Sequence, residues 1–115
     1  MPIRLGAVKG AFSEQFVKKV AVQFTVYTSV EDALKALLDK RIDGVPYDAA
    51  TLRYYEREKY QGKVSLHPIS LTARLSFAFS MPTGSALRKP INTMLLALMN
   101  GPLWDYWAKL HDIGG

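Results

Sequence analysis

Strand-like and helix-like segments alternate through the first half of this 115-residue chain. Residues 5–9 (LGAVK) and 23–27 (QFTVY) are short, β-rich runs, and the segment between them, residues 13–20, has apolar residues at helical spacing. The alternation repeats at a spacing of about twenty residues, which is typical of βαβ units. It predicts an α/β fold with a mainly parallel sheet flanked by helices.

The clearest helix in the sequence covers residues 29–41. Ser29 and Asp32 are spaced like a capping box, and Lys40 and Arg41 lie at the negative end of the helix dipole. The apolar residues form one stripe, which consists of Val30, Ala33, Leu34, Leu37 and Leu38. This pattern predicts an amphipathic helix that packs on the sheet.

Residues 42–47 follow as a predicted strand, although Gly44 and Pro46 are unusual in a strand. Residues 49–59 are then predicted to be a helix, with Asp48 as its N-cap. Further along the chain, 64–69 and 75–81 are extended runs, a turn covers 82–85, and two helices follow at about 86–99 and 103–110. The first of these two helices has a broad apolar side: Leu87, Ile91, Met94, Leu95, Leu98 and Met99, with Leu96 beside it.

Composition excludes several classes of protein. The chain has no cysteine, so it has neither disulfides nor thiolate sites. The net charge of +5 is spread over isolated basic pairs, and we therefore predict no binding to nucleic acid. The N-terminal residues show no signal peptide, and the most apolar run, residues 94–99, is much shorter than the ~20 residues of a membrane span.

The sequence contains no recognisable enzyme motif. His67 and His111 have no second histidine or paired carboxylate at metal-ligand spacing. A G-x-S-x-G elbow, a P-loop and a G-x-G-x-x-G motif are also missing from the sequence. We therefore expect no catalytic residues, no metal site and no cofactor, and we expect that the protein is not an enzyme.

Two loops are candidates for binding a ligand, because α/β sheets bind ligands at the carboxyl ends of their strands. The first is Gly10, Ala11, Phe12 and Ser13, whose backbone amides can bind an anion at a helix N-terminus. The second is Tyr47 and Asp48, whose carboxylate can accept hydrogen bonds from an ammonium group. Both loops also have a purely structural interpretation, as a tight turn with Ser13 as N-cap and as a helix cap by Asp48. The pattern alone leaves both interpretations open.

Three stretches of the chain together resemble a known family. They are LGAVKGAFSEQFVKK, VYTSVEDALKALLDKRIDGVPYDAATLRYY and FAFSMPTGSALRKPINTMLLALMNGPLWDYWAKL. They resemble the type II periplasmic solute-binding proteins, in particular the bacterial extracellular amino-acid-binding proteins of family 3. They look equally like the ligand-binding cores of prokaryotic glutamate-receptor-like channels, which share that fold.

The resemblance implies a fold of two lobes with the ligand between them, and a complete member is about twice as long as this chain. Residues 1–72 would be the second lobe. Residues 73–115 would be a return strand and the C-terminal helices, which normally pack on a first lobe that this chain lacks. By the same resemblance, the family's main carboxylate-binding arginine would lie in that lobe. The full protein would work at the periplasmic or extracellular face of the membrane.

The resemblance also assigns roles to the two candidate loops. The loop from Gly10 to Ser13 would bind a ligand carboxylate, although Ala11 and Phe12 stand where hydroxyl residues are common. Asp48 would bind the ligand ammonium. Gly44 and Pro46 depart from the β-branched residues that are usual in the preceding strand.

Three functions are considered on this basis. The first is an amino-acid-binding module of an ABC-transporter solute-binding protein, incomplete in this chain, with a membrane transporter as partner. The second is part of the ligand-binding core of a glutamate-receptor-like ion channel, and the third is a dehydratase-like enzyme on the same fold. Because the apolar C-terminal helices would lack their usual partner, we expect either that they fold back on the chain's own sheet or that two chains form a homodimer through them. We favour the dimer.

Overall fold

A computed structural model of the chain describes residues 3–10, 14–15, 17–18, 23–70 and 76–99. The strands in this part of the chain are β1 (Arg4–Val8), β2 (Gln23–Tyr27), β3 (Val45–Asp48), β4 (Val64–Ser70) and β5 (Ser76–Pro82). The helices are α1 (Val30–Leu38), α2 (Ala49–Glu58) and α3 (Arg88–Met99). Residues 14, 15, 17 and 18 are also helical, as predicted between the first two strands. The helix predicted at 103–110 lies outside the described residues.

The strands form two small sheets that meet at a single bridge. β1 and β2 pair in parallel, and β5 pairs with both β3 and β4. Leu5 of β1 and Gly44, just before β3, form a parallel bridge, and the Gly6 N–H donates to the Gly44 carbonyl at 2.9 Å. The strands therefore follow one another across the molecule in the order β2-β1-β3-β5-β4.

The prediction of a mainly parallel sheet holds only for β2, β1 and β3. β5 is antiparallel to both of its neighbours. The reason lies in the chain length between β4, which ends at Ser70, and β5, which begins at Ser76. A parallel crossover needs a dozen or more residues, whereas a short connection can join only antiparallel neighbours. The fold is α/β with a mixed arrangement of strands.

β5 occupies the middle of its sheet, between β3 and β4. From the sequence, β5 was assigned to residues 73–115, the return segment that follows the predicted lobe of residues 1–72. The structure shows that this strand is paired along its length with strands of that predicted lobe. The division into two lobes itself stays a prediction, since it refers to a lobe outside this chain.

Helices α1 and α2 pack on one face of the strands, which the apolar stripe of α1 predicts. The Ser29 hydroxyl accepts a hydrogen bond from the Asp32 N–H at 3.1 Å, which confirms the predicted start of α1. Lys40 then adopts the left-handed conformation with φ of 62° and terminates the helix. The core on this face is one cluster of buried residues, which includes Val8, Ala33, Leu34, Leu37, Val45, Leu52, Val64 and Ala78.

The opposite face carries a second set of buried residues. Phe79 of β5 lies opposite Pro46 on one neighbouring strand and His67 on the other, and its side chain is fully buried. Helix α3 reaches this face, because the His67 Nε2 and the Asn92 Oδ1 are 3.2 Å apart and Ile91 is fully buried. The first turns of α3 thus fold back on the chain's own sheet, which was one of the two expected ways to cover this helix.

None of the described helices is long and apolar enough to span a bilayer.

An ion pair joins β1 to the loop before β3. The Asp43 carboxylate accepts hydrogen bonds from the Arg4 backbone N–H at 2.8 Å and from the Arg4 Nε at 3.2 Å, and the Arg4 Nη2 lies 3.1 Å from its Oδ1. The Asp43 N–H in turn donates to the Arg4 carbonyl at 2.7 Å. Burial raises the pKa of Asp43, but the hydrogen bonds and charge of Arg4 outweigh it and hold that pKa below its ordinary value.

We predict that Asp43→Asn lowers the free energy of unfolding at pH 7 by roughly 1 kcal/mol, a modest value because the Arg4 side chain is 43% exposed. A carboxyl with a lowered folded-state pKa stabilises the protein above its unfolded pKa near 3.8 and loses that contribution as the pH falls through the folded value. Urea unfolding at pH 7 and pH 2 should therefore show a difference between the variant and the parent that vanishes in acid. The exposed Asp39→Asn is the control, and an equal pH dependence in both variants would contradict the prediction.

Gly44 lies directly against the Phe79 ring. A Cβ atom on Gly44 would overlap Cε1 and Cζ of that ring. We predict that Gly44→Ala lowers the free energy of unfolding by about 1–3 kcal/mol, because a packed core has no room for an added methyl group. In the double variant Gly44→Ala/Phe79→Leu the two effects should be less than additive, since the smaller side chain removes the overlap. Urea unfolding of the four proteins measures this coupling, and strict additivity would refute it.

Candidate functional site

Two helix N-termini and the turn after β1 lie at the carboxyl edge of the first three strands. β1, β2 and the bridge to β3 are parallel, so their carboxyl ends lie at the same edge. After β1 comes the turn at Lys9 and Gly10, after β2 comes Ser29 at the start of α1, and Asp48 ends β3 and starts α2. Free backbone N–H groups at helix N-termini favour anions, so this edge is suited to a ligand with negative charge.

Gly10 adopts a left-handed backbone conformation with φ of 78°, which explains why glycine occupies the turn after β1. Its N–H donates to the Glu14 Oε1 at 3.0 Å. This hydrogen bond is the largest influence that holds the pKa of Glu14 below its ordinary value, and Lys18, 3.5 Å from the same carboxylate, also lowers it. The Gly10 amide thus already binds a carboxylate of the chain itself.

The other residues of this predicted carboxylate site, Ala11, Phe12 and Ser13, lie outside the described residues. The structure therefore places the two ends of the loop, at Gly10 and Glu14, next to each other through their hydrogen bond. Whether the intervening amides bind a ligand stays a prediction. Sequence reasoning did not single out Glu14, which lies four residues after Gly10.

Asp48 has the capping role that its position in the sequence suggested. Its Oδ2 atom accepts two hydrogen bonds from Thr51, one from the backbone N–H at 2.9 Å and one from the Oγ1 hydroxyl at 2.9 Å. Among the described residues, both hydrogen bonds to this carboxylate go to Oδ2 and neither goes to Oδ1. Capping and ligand binding are therefore compatible, since a cap needs one carboxylate oxygen and a ligand ammonium can use the other.

Tyr47, the residue before Asp48, packs against the core cluster beneath α1 and α2 and is half-buried. Successive residues in a strand point to opposite faces, so Tyr47 and Asp48 do not project in the same direction. The observed contacts of Tyr47 are those of a packing residue. A ligand contact by its side chain stays a prediction.

Thr28 and Ser29 lie at the same edge and were not predicted to belong to the site. The Thr28 hydroxyl donates to the Asp32 Oδ2 at 3.2 Å, while Ser29 caps α1. The capping pattern of Ser29 was visible in the sequence, but only the in-register pairing of β1 and β2 shows that it shares an edge with Gly10. The edge thus offers amides, hydroxyls and one capping carboxylate, a set of groups suited to a small zwitterion. Within the described ranges, no group of three or more metal-ligating side chains is present.

Two of the solved structures that resemble the chain are ligand-binding cores. One is the ligand-binding core of GluR0 from Nostoc punctiforme in complex with L-glutamate, with 26% sequence identity and a TM-score of 0.55 over 92% of this chain. The other is a GluR0 ligand-binding core complex with L-glutamate, with 15% identity and a TM-score of 0.49 over 98% of this chain. This chain covers 50% and 48% of those two chains, about half of their length. No protein-family model matches the chain, and no curated protein matches it significantly.

Proposed function

We propose that the chain is part of a module that binds an amino acid between two lobes, and that it does so without catalysing a reaction. The observation that carries the proposal is the position of Asp48, whose capping carboxylate lies at the same strand edge as the Gly10 turn. The likeness to a GluR0 core in complex with L-glutamate supports it, since that similarity extends over 92% of this chain.

In this proposal the two ends of a zwitterionic ligand bind to different groups of the edge. The ligand ammonium donates to Asp48, where a charge-assisted hydrogen bond is stronger than a neutral one. A ligand carboxylate binds to the backbone amides of residues 11–13, as the sequence predicts, because the Gly10 N–H itself donates to Glu14. The first lobe, outside this chain, covers the ligand, and closure of the two lobes signals that the site is occupied.

Two settings for such a module remain as proposals. In the first, the chain belongs to the solute-binding protein of an ABC transporter and delivers an amino acid to it. In the second, it belongs to the ligand-binding core of a glutamate-receptor-like channel. The similarity to the GluR0 core from Nostoc punctiforme supports a ligand-binding module in either setting. Both place the module at the periplasmic or extracellular face of a membrane.

We predict that millimolar L-glutamate or L-glutamine shifts the backbone amide NMR signals of Gly10 and Thr51 in the ¹⁵N-labelled chain. In Asp48→Asn the dissociation constant for these ligands should rise about tenfold or more, because a hydrogen bond to a charged group is worth roughly 1.5–3 kcal/mol. The fold should persist, since asparagine also caps helices well. 2-Oxoglutarate has no ammonium group and is repelled by the Asp48 charge, so it should bind the variant no more weakly than the parent.

Asp39→Asn serves as the matched control, because its carboxylate is exposed at the end of α1. An unchanged amino-acid affinity in Asp48→Asn would leave Asp48 as a helix cap alone. The absence of any shift at Gly10 and Thr51 with both amino acids would reject the binding proposal for this edge.

We also propose that two chains associate through the C-terminal helices when the first lobe is absent. On α3, Ile91 is buried, but Leu96 remains 53% exposed. We predict that light scattering detects a dimer and that Leu96→Glu weakens its association at least tenfold, because the substitution puts a charge in an apolar contact. Tyr54→Glu on α2 is the control, since Tyr54 is similarly exposed at 55%. A monomer at millimolar concentration, or a dimer equally sensitive to both substitutions, would contradict this proposal.

A further inference from the structure

Thr51 holds the Asp48 carboxylate through two hydrogen bonds to the same oxygen. We propose that Thr51 is a positioning residue, which fixes the Asp48 carboxylate so that its Oδ1 atom is ready to accept a ligand ammonium. The inference rests on the proposed function, and it adds a residue that the sequence did not suggest. Its basis is the pair of bonds from the Thr51 N–H and Oγ1 to Asp48 Oδ2, each 2.9 Å long.

The two hydrogen bonds differ in what they require of the sequence. The bond from the backbone N–H is the ordinary N-cap bond, and any residue other than proline at position 51 can donate it. The bond from the hydroxyl needs Thr or Ser at this position. A residue that served only to propagate α2 would not need a hydroxyl, so the second bond restrains Asp48 in addition to the ordinary N-cap bond.

A single acceptor atom with two donors restricts the whole carboxylate. The N–H bond alone can be kept in more than one combination of the two Asp48 side-chain torsions, because the first has three staggered wells and the terminal one is broad. The hydroxyl adds a second direction at the same oxygen, which removes this freedom. Thr51 is itself half-buried and β-branched, so its own side chain has few rotamers in the helix.

Restricting the carboxylate favours binding in two ways. A group that is already held in its bound orientation loses less conformational entropy when the ligand arrives. Satisfying Oδ2 within the protein also leaves the ligand ammonium to interact with Oδ1 rather than compete with the cap. Thr51 therefore increases affinity without itself contacting the ligand.

The test compares Thr51→Val with Thr51→Ser. Valine has nearly the same shape as threonine and keeps the backbone N–H, but it lacks the hydroxyl, whereas serine retains it. We expect three-bond NMR couplings to show one ordered side-chain conformation of Asp48 in the parent and in Thr51→Ser, and an averaged one in Thr51→Val. The dissociation constant for L-glutamate or L-glutamine should rise roughly three- to tenfold in Thr51→Val, as expected for one lost hydrogen bond, and recover in Thr51→Ser. The response to 2-oxoglutarate should change in neither.

The outcomes separate this inference from the proposed function. If Asp48 keeps one ordered conformation in Thr51→Val, or if affinity is unchanged while Asp48→Asn weakens it, the role of Thr51 is refuted and the binding proposal stands. If neither amino acid shifts any amide of the parent chain, the proposed function is rejected, and the positioning of Asp48 for an ammonium with it. If α2 unfolds in Thr51→Val but not in Thr51→Ser, the hydroxyl is a structural cap and the inference is overturned.

Discussion

The fold depends on the contact between Gly44 and Phe79. Gly44 lies where β1 and β3 meet, and the ring of Phe79, from the central strand β5, fills the space that a side chain would need. The contact therefore lies at the place where the parallel strands meet the antiparallel ones. A close approach of a ring to a backbone is possible only at glycine, which accounts for a residue that is otherwise poorly suited to a strand.

The same junction determines the geometry of the candidate site. Because β1 and β3 are neighbours and run in the same direction, the turn at Gly10 and the carboxylate of Asp48 emerge at one edge. Arg4 and Asp43 join these strands at the opposite edge, with hydrogen bonds in both directions between them. Gly10 and Asp48 thus lie at the carboxyl ends of strands that the Arg4–Asp43 pair joins at their other ends. The position of the site therefore does not depend on contacts among the residues of the site itself.

Local patterns in the sequence predicted local structure well. The spacing of Ser29 and Asp32 predicted the start of α1, and the position of Asp48 predicted the cap of α2, because each depends on residues within one helical turn. The pairing of β5 was not predictable in this way, since it depends on partners about thirty residues away in β3. The packing role of Gly44 and the hydrogen bond of the Thr51 hydroxyl could not be predicted from the sequence for related reasons. Phe79 is distant in the sequence, and the hydroxyl bond of Thr51 is a matter of side-chain geometry that no spacing rule encodes.

The central position of β5 has a consequence for how the chain is made. During synthesis β3 and β4 leave the ribosome first, but the strand that separates and pairs with both is the last of the described strands to appear. Until residue 82 has emerged, β3 and β4 have no partner between them, and Phe79 is not available to cover Gly44. The edges of β3 and β4 that pair with β5 therefore stay unpaired during this time. Unpaired strand edges can pair with other nascent chains. A chain shortened before β5 would lose the strand to which both halves of the sheet are joined.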